Sequence, residues 1–375
     1  MVENLKLVRE KIEMKITYFY IFGRKDRLHL KEYAREMFYG YHEIKNKYSD
    51  TQIIEYRRRK SKYIRYIDKV VSKVFDIPFY LSEVLYLDNL KRCFKSDKII
   101  FSNDRIMVSM APVLLIIKIF KKNLQINVFV MGLLRHDENK SKLVRRYYLR
   151  LVHKVADNFI FLGQGEYNIS KKFFKNSEKL HFIPFYIDEV FWKTDTEDKR
   201  RDGILFIGND GNREFDKVVK ICNHFKNINF TVITKHLKQN QFKHNNVTLL
   251  NGSWGNTDIS DGVLRDYYNR AKLVIIPLKN SMQPSGQSVA LQSMSMKAPV
   301  MISKTDGFWD MENFENEKNI IFLKNNSLEN WIYEIENKYK NNNLLSSISD
   351  NAVNTIRNNY TSEIFNHKLG SILNI

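Results

Sequence analysis

Short apolar runs alternate along this chain with longer stretches whose apolar residues recur every three or four positions. The short runs predict strands at 15–21, 52–56, 98–102, 126–131 and 158–162, with a further short one at 180–184. The longer stretches predict helices at 28–41, 62–75 and 142–155. After the wholly polar segment 195–202, which reads as a linker, a second series begins. Strands are expected at 203–207, 229–234, 246–250, 273–277, 299–303 and 320–323, with helices at 214–225, 262–271 and 288–296. Helical patterns at 327–339, 351–359 and 362–373 close the chain.

Strands alternating with helices predict parallel sheets with helices on both faces, because a parallel crossover needs a connection long enough to return over the sheet. At 375 residues, one core would be too large. The expected fold is therefore α/β, with two Rossmann-like doubly wound domains facing a cleft. An N-terminal domain would run through residue 185, a C-terminal domain would span 186–359, and a last helix at 360–375 would cross back. In such sheets ligands bind beyond the carboxyl ends of the strands.

Composition narrows the classes. The chain is 43% apolar and 13% aromatic, enough to build real cores. Cys93 and Cys222 are its only cysteines and form no metal-like pair, so a reducing cytosol is expected. The segment 1–14 is charged, with no signal-peptide apolar stretch, and the most apolar run, 106–120, is broken by Ser109, Pro112 and Lys118. Net charge is +19 and uneven: residues 1–190 hold 38 Lys and Arg against 22 acids, a net +16, and the rest hold only +3. The basic half is expected to meet an anionic partner. A specific surface is suggested by Lys60, Lys62, Arg65, Lys69 and Lys73, on the polar side of a helix whose apolar positions are 63, 64, 67, 70, 71, 74 and 75. The plain reading is a core helix with a solvated basic face. The sharper one lays that face, with Lys118, Lys121 and Lys122, on anionic lipid.

The richest chemistry lies in residues 273–310. An apolar strand enters the polar loop 279–286, and a helix begins near Gln287 or Ser288. Free backbone N–H groups of Ser285, Gly286, Gln287 and Ser288 at a helix N-terminus make an anion site, and Gly286 lets the backbone approach a phosphate closely. Gln292, further along that helix, can reach a ribose hydroxyl pair. The plainer alternative is an ordinary helix capped by Ser285 or Ser288.

This stretch resembles the donor-binding segment of the family 4 retaining glycosyltransferases, which have the GT-B fold. There a Leu-Glu-Ala-Met-Ala helix follows the loop; here it reads Leu291-Gln292-Ser293-Met294-Ser295. The family's two glutamates, eight positions apart, fall on Pro284 and Gln292. The run 203–208 with Asn209–Arg213 resembles the family's Gly-rich loop, with Asn209 where an Arg is usual. Residues 179–191 resemble the interdomain exit, and Glu36–Gly40 after the first strand also follows the family.

The resemblance implies transfer of a hexose from a UDP- or GDP-sugar, with retention and no metal or other cofactor. The acceptor would be lipid-linked or a glycan, in cell-surface polysaccharide, glycolipid or glycoprotein synthesis, at the inner face of the membrane. It implies donor binding by Gly208, Arg213, Lys217, Ser285, Gly286, Gln287, Ser288 and Gln292, and catalytic roles for His136 and Arg213. His136 also reads as an exposed loop histidine. Acceptor contacts are expected from Gly23, Asn103 and Asp104, which equally fit strand-end turns. Trp254 is a candidate to stack on the base, or a rim aromatic. Two alternatives stay open: a non-catalytic nucleotide-sugar-binding subunit, and a GT-B nucleotide-sugar epimerase. Nucleic-acid binding lacks any recognition motif, and a dehydrogenase lacks G-x-G-x-x-G.

Overall fold

The computed structural model describes residues 14–56, 62–135, 137–194, 201–252 and 259–375. Most of the 1–14 segment, the first residues of the basic run at 57–61, His136, most of the expected linker and Trp254 lie outside the described residues.

The first series runs β1 (Ile16–Tyr20), α1 (Arg24–Arg27), α2 (Tyr41–Lys47), β2 (Thr51–Glu55), α3 (Lys62–Phe75), α4 (Leu81–Val84), α5 (Leu87–Lys95), β3 (Lys98–Phe101) and α6 (Asp104–Phe120). It continues with β4 (Gln125–Val130), α7 (Leu143–Val155), β5 (Asn158–Phe161), α8 (Gln164–Phe173) and β6 (Leu180–Phe182). The second comprises β7 (Ile204–Ile207), α9 (Phe215–His224), β8 (Phe230–Ile233), β9 (Val247–Leu250), α10 (Asp261–Arg270), β10 (Leu273–Ile276) and α11 (Gln287–Ser295). After it come β11 (Val300–Ser303), β12 (Ile321–Leu323), α12 (Leu328–Tyr339), α13 (Asn342–Asn359) and α14 (Ser362–Leu373).

Two six-stranded sheets result, ordered β2-β1-β3-β4-β5-β6 and β12-β11-β10-β7-β8-β9. Their paired strands run parallel. Strands covered on both faces need apolar side chains on both, so they read as continuous apolar runs. All four residues of β10 are buried, as are all five of β1. The second core gathers Phe206, Val232, Ile275 and Met301 from the sheet with Val218, Ile221, Trp331 and Ile348 from the helices. Cys93 and Cys222 are buried within these layers, and burial pushes both thiols up to about 12. Among the described residues no helix is long and apolar enough to cross a membrane.

The chain divides into two compact units. One takes the described chain up to Phe22, Phe38–Phe129 and Lys142–Asn158; the other takes Gly23–Met37, Val130–Ser141 and Phe159–Ile375.

Three expectations need correction. The helix expected at 28–41 does not form. Its backbone donors are taken by distant carboxylates: Ala34 N–H donates to Asp261 Oδ2 (2.9 Å) and Arg35 N–H to Asp188 Oδ2 (3.0 Å). A short 3₁₀ turn at Glu36–Phe38 follows, and Tyr39 (φ 50°) and Gly40 (φ 78°) then stop any helix from continuing. The α3 helix forms where expected with its basic face exposed, but much of its apolar stripe is exposed as well. Among its described side chains the buried one is Asp68, which accepts from the Ser82 backbone N–H (3.1 Å) and hydroxyl, while Tyr63, Ile67, Val70 and Val74 are exposed. Finally, Lys118 and Lys121 are not free cations. Lys118 Nζ sits 2.8 Å from Asp157 and Lys121 Nζ 3.2 Å from Asp97, so acids of their own unit offset their charge.

Candidate functional site

The candidate donor residues and their partners lie within the second unit, whereas Asn103 and Asp104 belong to the first. The β7 strand ends at Gly208, and the chain turns through Asn209–Arg213 into α9. Asn209 works as a stitch between loops. Its Nδ2 donates to Gly252 O (2.6 Å), and its Oδ1 accepts from the Thr234 hydroxyl (3.1 Å) and Lys235 N–H (2.8 Å). Asn209 thus ties together the ends of β7, β8 and β9.

Arg213 is 3% exposed. Its Nε lies 3.0 Å from Asp210 Oδ2 but out of hydrogen-bonding alignment. Among the described residues its Nη1 has no hydrogen-bond partner. Burial pushes the guanidinium below its ordinary range, opposed by Asp210, yet guanidinium groups hold their proton in proteins. A buried cation with an unused donor is costly unless an anion meets it. Gly208 and Gly286 make its slot. A Cβ on Gly208 would fall 2.3 Å from Arg213 Nε, and one on Gly286 3.0 Å from Nη1.

Gly286 also opens α11. It takes φ 81°, a left-handed conformation suited to glycine, and no side chain caps the helix. The expected serine cap is therefore absent. The Ser285 hydroxyl instead accepts from Asn212 Nδ2 (2.7 Å), which also donates to Gln283 Oε1 (2.7 Å). Among the described residues, the backbone N–H groups of Gln287, Ser288 and Val289 have no partner. Uncapped donors, the helix dipole and the Arg213 guanidinium converge at Gly286, an arrangement suited to phosphate.

Other expected residues have different work. Lys217 Nζ donates to Asn326 O (2.6 Å) and pairs with Glu214 (3.3 Å). Buried Gln287 donates through Nε2 to Leu162 O (3.2 Å). Pro284 is buried against Gly163, where an added Cβ would stand 3.1 Å from it. Gln292 is not free for a ribose: its Oε1 accepts from the Tyr268 hydroxyl (3.0 Å), and its Nε2 donates to Glu36 Oε1 (2.9 Å). Among the expected acceptor contacts, Asn103 caps α6 by accepting from Arg105 N–H (2.9 Å), Asp104 is buried in its first turn, and Gly23 (φ 92°) begins α1.

Two buried carboxylates have no role in the sequence reading. Glu36 is fully buried. Its Oε1 also accepts from Trp192 Nε1 (2.7 Å), while its Oε2 has no partner among the described residues. Burial raises its pKa from 4.5 to about 7, against the lowering effect of its Gln292 and Trp192 hydrogen bonds. Glu166 is 1% exposed and accepts from Gly132 N–H (2.8 Å) and Leu134 N–H (3.0 Å), fixing the loop that leads to residue 136. Glu36 stands in the Glu36–Gly40 segment, within the helix that the pattern predicts, and nothing local marks its burial. Glu166 stands just after a strand in Gly163-Gln-Gly-Glu166, a signal that was available. Among the described residues, no group of three or more His, Cys, Asp or Glu is placed to hold a metal ion.

No family model and no curated relative matches the sequence. Solved structures do match in shape. Anabaena HepE in complex with UDP is 12% identical with a TM-score of 0.68, covering 96% of this chain and all of that one. Sucrose-phosphate synthase from Thermosynechococcus elongatus is 12% identical with a TM-score of 0.69, covering 96% and 98%. A glycosyltransferase from Rickettsia africae is 11% identical with a TM-score of 0.64, covering 96% and 99%. The two parallel six-stranded sheets with their flanking helices thus form the two-domain α/β fold of GT-B glycosyltransferases.

Proposed function

We propose that this chain is a retaining glycosyltransferase of family 4 that takes a hexose from a UDP- or GDP-sugar. The observation that carries the reading is the buried Arg213 guanidinium beside Gly286 at the uncapped start of α11, ion-paired with Asp210 at Nε but with Nη1 unused among the described residues. A nucleoside diphosphate would give that donor an acceptor, and its departure as a leaving group would be eased by the same fixed donors. HepE, similar in fold, was solved with UDP-glucose. No metal is needed in this scheme, since the cation and the helix supply the positive charge. The acceptor would be a lipid-linked or glycan hydroxyl, met at the inner face of the membrane, with Gly23, Asn103 and Asp104 as candidate contacts and His136 as a candidate at the sugar. Gln292 would act through the loop it supports.

One observation favours a second reading. The family's first glutamate position holds Pro284, buried against Gly163, so no carboxylate contacts the sugar from there. A non-catalytic nucleotide-sugar-binding subunit would have the same donor loop without the chemistry.

Calorimetric titration with UDP, GDP, ADP and CMP tests the donor site. One nucleotide should bind selectively, and Arg213→Ala should weaken it about tenfold to a hundredfold, the worth of a charge-assisted hydrogen bond. No binding by any of the four would remove the assignment. Sugar release or transfer from the matching nucleotide sugar then separates enzyme from binding subunit.

A further inference from the structure

Among the described residues, two helices of the first unit carry apolar side chains that are exposed. On α3, Tyr63, Ile67, Val70 and Val74 follow the spacing i, i+4, i+7, i+11, which is a single stripe. They are 87%, 58%, 42% and 51% exposed. On α7, Leu143, Val144 and Tyr147 are exposed in the same way. The two helices are neighbours: Lys142 Nζ donates to Lys73 O (3.3 Å), Arg145 Nη1 to Asp76 O (2.7 Å), and the Phe75 and Tyr148 rings lie 4.6 Å apart.

Charge on this surface is mainly positive. Arg65, Lys69 and Lys73 descend the adjoining face of α3, along a groove that Ser72, Tyr80 and the acid Glu83 also line. Lys142, just before α7, and Arg150 on it are exposed. The one acid on α3 is Asp68, buried and bonded to Ser82, and α7 has none. An apolar stripe beside a row of cations has the amphipathicity of a helix lying in a bilayer interface. A second copy of the chain fits badly, since a two-fold contact would set these cations against their own images.

We propose that the α3–α7 face docks the chain on an anionic lipid bilayer. The stripe enters the boundary between headgroups and acyl chains, and Arg65, Lys69, Lys73, Lys142 and Arg150 meet lipid phosphates. This deepens the membrane part of the reading above and is independent of the donor site. It replaces the surface through Lys118 and Lys121, whose charges are offset by Asp157 and Asp97.

The test is co-sedimentation of the full chain with phosphatidylcholine vesicles, with and without added phosphatidylglycerol, across a salt series. Binding should require the anionic lipid and fade with salt. The double variant Ile67→Glu/Val74→Glu should lose at least about tenfold in partition even at low salt, and Lys69→Gln/Lys73→Gln several-fold. An environment-sensitive dye on Val70→Cys should shift to the blue on vesicles. Unchanged unfolding midpoints and nucleotide titrations would show the variants folded and would keep this result separate from the donor site. Equal binding by the glutamate variant, absence of a dye shift, or a solution dimer that this variant dissolves would each overturn the proposal.

Discussion

Exchanging Glu36 for glutamine is expected to stabilise the fold at pH 8 and to change it little near pH 4. The wild-type carboxyl titrates near 7 when folded, against 4.5 as its ordinary value. Between those values the unfolded chain has released the proton while the folded chain still holds it. Stability therefore falls as pH rises from 4.5 to about 7, then levels off. The gap corresponds to about 3 kcal/mol, lost once the buried carboxylate must ionise. Glutamine keeps an oxygen for Trp192 and Gln292 and carries no charge to desolvate. Its amide also replaces an Oε2 that already lacks a partner. Thermal unfolding from pH 4 to 8 should show the two proteins diverging by a few degrees at the alkaline end. Parallel curves would mean that Glu36 is not the group responsible.

The second large effect concerns a single methyl group. Gly208→Ala should weaken nucleotide binding about as much as Arg213→Ala, on the order of tenfold or more. Gly208 has no left-handed φ, so alanine suits its backbone. The new Cβ would nevertheless meet Arg213 at Nε (2.3 Å), Cδ (2.8 Å) and Cγ (2.9 Å), so the side chain must leave its slot. The double variant Gly208→Ala/Arg213→Ala should therefore bind no worse than either single one, because both remove the same interaction. Gly211→Ala, in the same loop with nothing within 4 Å of its Cβ, serves as the control and should bind normally. Additive losses, or a loss in the control, would disconnect Arg213 from the nucleotide.

All twelve strands were legible in the sequence because parallel strands are buried on both sides, and Leu273–Ile276 or Ile204–Ile207 can hardly be anything else. The position of the loop before α11 was legible because Ser285–Ser288 between strand and helix is a local arrangement. What failed was what depends on distant partners. Periodicity finds the apolar stripe of α3 but not that much of it is exposed, while Asp68 is buried and bonds to Ser82. Asp261 and Asp188 drew the backbone at Ala34 and Arg35 out of the helix that the pattern predicts. Gln292 was read as a ribose contact, yet its amide answers to Glu36 and Tyr268, more than 250 and 20 positions away in sequence. The titration of Glu36 carries no local mark, since only folding creates the buried surroundings that alter its chemistry.

The two buried thiols have a practical consequence. Alkylation and oxidation proceed through the thiolate, and sulfur shut inside a packed layer with a pKa near 12 offers almost none at neutral pH. Any cysteine placed on the surface of the folded chain would thus react alone. Spectroscopic distance probes or cross-linkers can be attached one site at a time on the natural background, with Cys93 and Cys222 left in place.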